Sequence, residues 1–82
     1  MAAKLTFRYD KVGDILYIDR VKPYAEQSQN ELGDEISARF NPKTGEIETI
    51  EILFFKRRLD AGEEVVLPVN ATLRLAVEAK GR

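Results

Sequence analysis

Apolar and polar residues alternate through Leu5-Thr6-Phe7-Arg8-Tyr9, the period-2 pattern of a half-buried strand. Asp10-Lys11-Val12-Gly13-Asp14 reads as a tight turn, with Gly13 the residue expected at positive φ. Ile15-Leu16-Tyr17-Ile18-Asp19-Arg20-Val21 returns as a second strand, so residues 5–21 predict a β-hairpin. Lys22 to Gly33 breaks the pattern. Pro23 ends the strand, Glu26-Gln27-Ser28-Gln29-Asn30-Glu31 is polar throughout, and the segment predicts a surface loop. Alternation resumes at Glu35-Ile36-Ser37-Ala38-Arg39-Phe40, with Ile36, Ala38 and Phe40 on one face. Asn41-Pro42-Lys43-Thr44-Gly45 is a turn in which Pro presets φ and Gly supplies the left-handed residue. The long strand Glu46–Phe55 then completes a second hairpin.

The last third is less regular. Lys56-Arg57-Arg58-Leu59-Asp60-Ala61 holds helix formers closed by Gly62, which predicts one short helix near residues 56–61. Glu64–Val69 is strand-like, and Pro68, lacking an N–H, places it at a sheet edge or a bulge. Over residues 70–80, Leu73, Leu75, Val77 and Ala79 alternate like a strand, while Asn70 fits a helix N-cap; the strand is favoured. The fold class expected is mainly β: a small antiparallel sheet of two β-hairpins plus a C-terminal strand or strands, with the one short helix. Residues 1–82 form a single domain.

Two strands carry apolar residues on both faces, Ile15–Ile18 and Ile50–Phe55 apart from Glu51. A sheet with one wet face alternates cleanly, so these two strands are expected at the centre and covered on both sides. The C-terminal third covers one face in this reading. The other face is covered by a second copy of the chain or another protein, or by the chain's own loop and C-terminus. A chain this short buries only about 60% of the surface its unfolded form exposes, so an uncovered Phe or Ile is a serious loss.

Composition narrows the function classes. The chain of 82 residues has no Cys, no His and no Trp. Thiolate chemistry, a disulfide framework and Cys–His metal sites are excluded. Thirteen basic and fourteen acidic residues give a net charge of −1, too balanced for a general pull toward nucleic acid or anionic lipid. No apolar run is long enough to span a membrane, and Met1-Ala2-Ala3-Lys4-Leu5 lacks the apolar core of a signal peptide. A cytoplasmic protein is the default expectation, with no membrane partner and no cofactor.

Three groups of residues are candidates for chemistry. Asp10, Asp14 and Asp19 are clustered carboxylates of the kind that bind a hard cation or share acid–base work. Their spacing does not fit an EF-hand loop, and Asp beside a hairpin turn ordinarily bonds backbone N–H groups. Lys56-Arg57-Arg58 beside Phe54-Phe55 is the second, because cations next to aromatics grip phosphate and stack on bases. The competing reading is a buried strand end followed by an exposed helical turn. Glu46, Glu48 and Glu51 are the third. A solvated face accounts for Glu46 and Glu48, and Glu51 is expected to pair across the sheet with Arg39 or Arg20. None of these is assigned as catalytic, cofactor-binding or metal-binding, and no Gly-rich phosphate loop or Ser-His-Asp set exists.

Two stretches carry a family pattern. Tyr9-Asp10, then Asp14, then Leu16-Tyr17-Ile18 form the first; Gly45, Ile47 and Ile50-Glu51-Ile52-Leu53 form the second, with Phe40-Asn41 ahead of its turn. Over residues 5–59 the chain resembles the domain-of-unknown-function family 2283. It departs from the family after Leu53, where Phe54-Phe55 replaces smaller or polar residues, and residues 60–82 extend past the usual end. The resemblance implies a small antiparallel β fold and no assigned activity. It also implies an accessory or antitoxin-like partner of another small protein.

The functional expectation is a non-enzymatic protein-interaction module, self-associating as a homodimer or bound to another protein. The alternative is a nucleic-acid or anionic-ligand binder using Lys56, Arg57 and Arg58.

Overall fold

The computed structural model describes residues 4–75. Five strands, β1 (Thr6–Asp10), β2 (Ile15–Asp19), β3 (Ser28–Gly33), β4 (Ile36–Phe40) and β5 (Ile47–Leu53), precede one helix, α1 (Phe55–Asp60). They form one antiparallel sheet in the order β1-β2-β5-β4-β3. Both expected hairpins are present, and β2 and β5 lie inside the sheet as expected. No helix among the described residues is long and apolar enough to cross a membrane.

Register separates the two faces. Leu16, Ile52 and Ile36 stand opposite one another across β2, β5 and β4, and Ile18, Ile50 and Ala38 do so one step along. Tyr9 and Phe7 of β1 extend these two rows. Leu16, Ile36, Ile50 and Ile52 are the buried core. Arg8, Tyr17, Glu51 and Ser37 make a row on the opposite face, and Thr6, Asp19, Thr49 and Arg39 make another.

That opposite face is more polar than expected. Ile15 and Leu53 face each other on it, half-buried, while its other inner residues are satisfied by polar neighbours. Asp19, only 6% exposed, accepts from Arg8 Nε at 2.5 Å and from Thr49 Oγ1 at 2.9 Å. The Arg8 guanidinium also lies 4.3 Å from the centre of the Tyr17 ring. Arg39 Nε donates to Glu51 at 2.7 Å, so Glu51 pairs with Arg39, while Arg20 donates to the Ile47 carbonyl instead.

Residues after α1 cover the apolar face without joining the sheet. Val65, Leu67 and Val69 pack against the core, while Glu64, Val66, Pro68 and Asn70 face outward. The period-2 pattern therefore reports a one-sided extended arm; the expected strand over 64–69 does not form, and Pro68 withholds a donor that a ladder would need. The strand expected over 70–80 is absent through residue 75, and residues 76–80 lie outside the described ones.

Two bulges adjust the strands. Arg39 faces Thr49 but Phe40 faces Ile47, so Glu48 is the extra residue in β5. The shift turns Ile47 onto the apolar face. Glu31 faces Ser37 and Gly33 faces Ile36, so Leu32 is the extra residue of β3 and reaches the core margin. β3 itself occupies part of the expected loop over residues 22–33.

Backbone strain sits in the turns. Asp14, not Gly13, takes the left-handed conformation, with φ 56°. Gly13 instead lies close to its neighbours' side chains: a Cβ there would stand 3.0 Å from Asp10 Oδ2 and 3.2 Å from Ile15 Cδ1. The β3–β4 turn places Asp34 and Glu35 at φ 51° and 59°, the two left-handed residues of a type I′ hairpin. Glu lacks the local hydrogen bonding that lets Asp or Asn occupy this region. Glu35→Gly creates the favoured Asp-Gly pair, and we expect a gain of about 0.5–1 kcal/mol after the added chain entropy of Gly is subtracted. Thermal unfolding checks this; an unchanged or lower Tm counts against strain at Glu35.

Candidate functional site

The candidate carboxylates of the first hairpin are engaged separately. Asp10 Oδ1 accepts from the N–H of Val12 at 3.0 Å and of Gly13 at 3.2 Å, which fixes the turn. Asp14 works at long range. Its Oδ1 accepts from Tyr9 Oη at 2.6 Å and from the Lys56 N–H at 2.7 Å. Its backbone carbonyl accepts from the Phe55 N–H at 3.1 Å. The residue before α1, Phe54, offers no capping side chain of its own, so Asp14 satisfies the free N–H groups of the first turn. Asp19 belongs to the polar face. Among the described residues no three acidic side chains converge in a way that could hold a metal ion.

The electrostatics follow from these contacts. The hydrogen bond to Asp14 pushes the Tyr9 hydroxyl up to about 12, and the same bond, with the Lys56 N–H, holds the Asp14 carboxyl below its ordinary value. Burial works to raise the Asp19 carboxyl, but the bonds from Arg8 and Thr49 outweigh it and leave it lowered.

Lys56, Arg57 and Arg58 do not form one cationic surface. Lys56 Nζ pairs with Asp60 at 2.8 Å, one turn along the helix. Arg57 lies over the Phe54 ring, 4.9 Å from its centre. Arg58 is buried, 7% exposed, and turned inward. Its Nε donates to the Leu53 carbonyl at 2.9 Å, and its terminal nitrogens reach the carboxylate and the carbonyl of Asp34. Arg58 thus clamps the strained β3–β4 turn onto the end of β5.

Glu48 is the residue that sequence reasoning misplaced. It is buried, not on a solvated face, because the bulge in β5 redirects it. Its Oε1 accepts from Tyr24 Oη at 2.7 Å and Gln27 Nε2 at 2.9 Å, and its Oε2 from Asn41 Nδ2 at 3.2 Å. Its carbonyl accepts from the N–H groups of Arg20 and Val21. One residue therefore secures the whole β2–β3 connection. The bonds from Gln27 and Tyr24 hold the Glu48 carboxyl below its ordinary range, and Tyr24 is pushed up to about 12 in return. Glu46 stays exposed, apart from Glu48.

Among the described residues, what remains open is the β1 margin. All five residues of β1 are exposed, and β1 is an edge of the sheet. Leu5, Phe7 and Tyr9 are 46%, 63% and 42% exposed on the apolar side. Beside them runs a groove of about 450 Å³, walled by Leu5, Phe7, Ile18, Leu67, Val69 and Leu73.

Two outcomes follow from the anchors. Arg58→Met keeps the volume but strips donors from Leu53 and Asp34; a loss of about 2–3 kcal/mol in denaturant unfolding is expected. Lys56→Ala, which breaks only an exposed ion pair, is expected to be near neutral. Equal effects of the two changes would contradict the buried clamp. Asp14, Asp19 and Glu48 all titrate lower when folded than the unfolded value of about 4. Their stabilisation is complete above that value and is lost as pH falls through the folded values. Tm is therefore expected to fall steeply below about pH 4. Glu48→Gln, measured over the same range, flattens that limb; an unaltered slope would remove Glu48 from the account.

Tyr9, Asp10 and Asp14, which carry the first resembling stretch of the sequence, are the turn and helix anchor. Neither a curated protein nor a solved structure matches the chain. The family described as "Protein of unknown function (DUF2283)" matches residues 6–56, from the start of β1 into α1, and the chain belongs to that family.

Proposed function

We propose that the chain is a non-enzymatic protein-interaction module that docks through the β1 edge and the apolar groove beside it. One observation carries this reading. Leu5, Phe7, Tyr9 and Leu73 stand exposed together at an open strand edge, while the polar candidates other than Glu46 are held by partners within the chain. An edge strand offers a row of backbone donors and acceptors, and neighbouring apolar side chains supply the affinity that those hydrogen bonds alone lack. The accessory, antitoxin-like role implied by the family resemblance is one form of this function, with another small protein on the edge. The cytoplasmic setting expected from the cysteine-free sequence belongs to the same proposal. The competing anion-binding reading draws less support, since Arg58 is committed to Asp34 and Lys56 to Asp60.

The test is affinity recovery of the full-length tagged chain from its native cells, beside Phe7→Lys. One protein in fixed ratio, its own copy or another, is expected with the wild-type chain and is lost with the variant. Recovery of the same material with both chains, or of nothing with either, contradicts the proposal.

A further inference from the structure

The two edges of the sheet are unequal. β3 is polar along its length and broken by the bulge at Leu32, the features that blunt an edge against pairing. β1 pairs with β2 in unbroken register from Thr6 to Asp10, and its outer side carries no bulge and no Pro. Among the described residues it is the edge suited to accept another strand.

The sequence of that edge matches itself. In an antiparallel pair, residues directly opposite share a face. A twofold axis through Phe7 sets Phe7 against the partner's Phe7 and Leu5 against the partner's Tyr9 on the apolar side. On the polar side it sets Thr6 against the partner's Arg8 and Lys4 against the partner's Asp10. Every apolar residue meets an apolar one, and the charges at the two ends meet their opposites. The neighbouring registers fail this comparison. An axis through Arg8 opposes Arg8 to its own copy, and an axis through Thr6 opposes Lys4 to the partner's Arg8; like charges directly opposite are destabilising. A shift of one residue joins the apolar face of one sheet to the polar face of the other and sets Phe7 beside the partner's Arg8.

We infer that the occupant of the β1 edge is a second copy of this chain, paired β1 to β1 in antiparallel register about Phe7. The inference rests on the docking surface proposed above and names its partner. The two five-stranded sheets become one continuous sheet. Both apolar grooves then lie on the same side, adjoining across the axis, so each copy's Phe7 helps close the groove margin of the other.

The experiment is light scattering on the full-length chain after gel filtration, joined to a cysteine scan. The wild-type chain is expected at twice its monomer mass of 9.3 kDa. Phe7→Lys is expected at the monomer mass with an unchanged circular dichroism spectrum, since Phe7 is largely exposed within one chain. The chain has no Cys of its own, so single introduced thiols report contacts without interference. Under mild oxidation Phe7→Cys is expected to cross-link to itself well beyond Thr6→Cys. Val12→Cys, at 99% exposure but away from the axis, is expected to stay uncross-linked. A wild-type monomer, a dimer that survives Phe7→Lys, or cross-linking that favours position 6 or 12 overturns the inference. A wild-type monomer that still recovers another protein in a Phe7-dependent way overturns the self-pairing alone and leaves the docking surface standing.

Discussion

The registration of Leu16, Ile52 and Ile36, with Ile18, Ile50 and Ala38 one step along, is the constraint from which the other features follow. It gathers Leu16, Ile18, Ile36, Ile50 and Ile52 of three central strands onto one side of a single sheet, leaving Ile15 and Leu53 on the other. A single-layer sheet cannot bury that side by itself. The arm carrying Val65, Leu67 and Val69 must lie across it, and α1 must turn the chain so that the arm can arrive there. The arm covers the middle of the sheet better than the β1 margin. Phe7, which extends the Ile18 row, is consequently left largely in solvent.

Polar side chains hold this arrangement from a distance. Asp14 joins the first hairpin to α1, Glu48 joins β5 to the β2–β3 connection, and Arg58 joins α1 to the β3–β4 turn. Each accepts or donates several hydrogen bonds to groups remote in sequence. A domain of this size has little apolar surface to spare, and such ties fix the irregular segments that hydrophobic burial leaves undetermined. The same commitments make these residues poor candidates for binding something else. Most of the conspicuous charges of the chain are structural, and the exposed apolar edge is the feature left to explain.

The regular strands were legible because β1, β2, β4 and β5 alternate or run apolar between recognisable turns. Asn41-Pro42-Lys43-Thr44-Gly45 closes its hairpin as its residues imply, with Gly45 at φ 77°. β3 was not legible. Ser28-Gln29-Asn30-Glu31-Leu32-Gly33 holds one apolar residue, and an edge strand exposed on its outer side needs no more. The arm after α1 misled in the opposite way, since alternation records which side chains are covered and not whether the backbone has a partner. Glu48 and Arg58 were out of reach for a different reason. A carboxylate within a strand and a third cation in a basic run look solvated until the bulge and the helix direction turn them inward. Pairing of Glu51 with Arg39 or Arg20 was within reach because a lone carboxylate in an apolar run needs a cationic partner across the sheet; the bulge at Glu48 sets Arg39 diagonally beside it.

Occupation of the outer edge of β1 by a second copy is the central proposal. Amide hydrogen exchange, followed residue by residue at low and high protein concentration, addresses it most directly. With a second copy on this edge, the outward-facing N–H groups of β1 turn from freely exchanging to protected as concentration rises, whereas the other strands gain only the smaller protection that the added stability of the dimer brings. Outward amides of β1 that exchange at the rate of open loops at every concentration would contradict it.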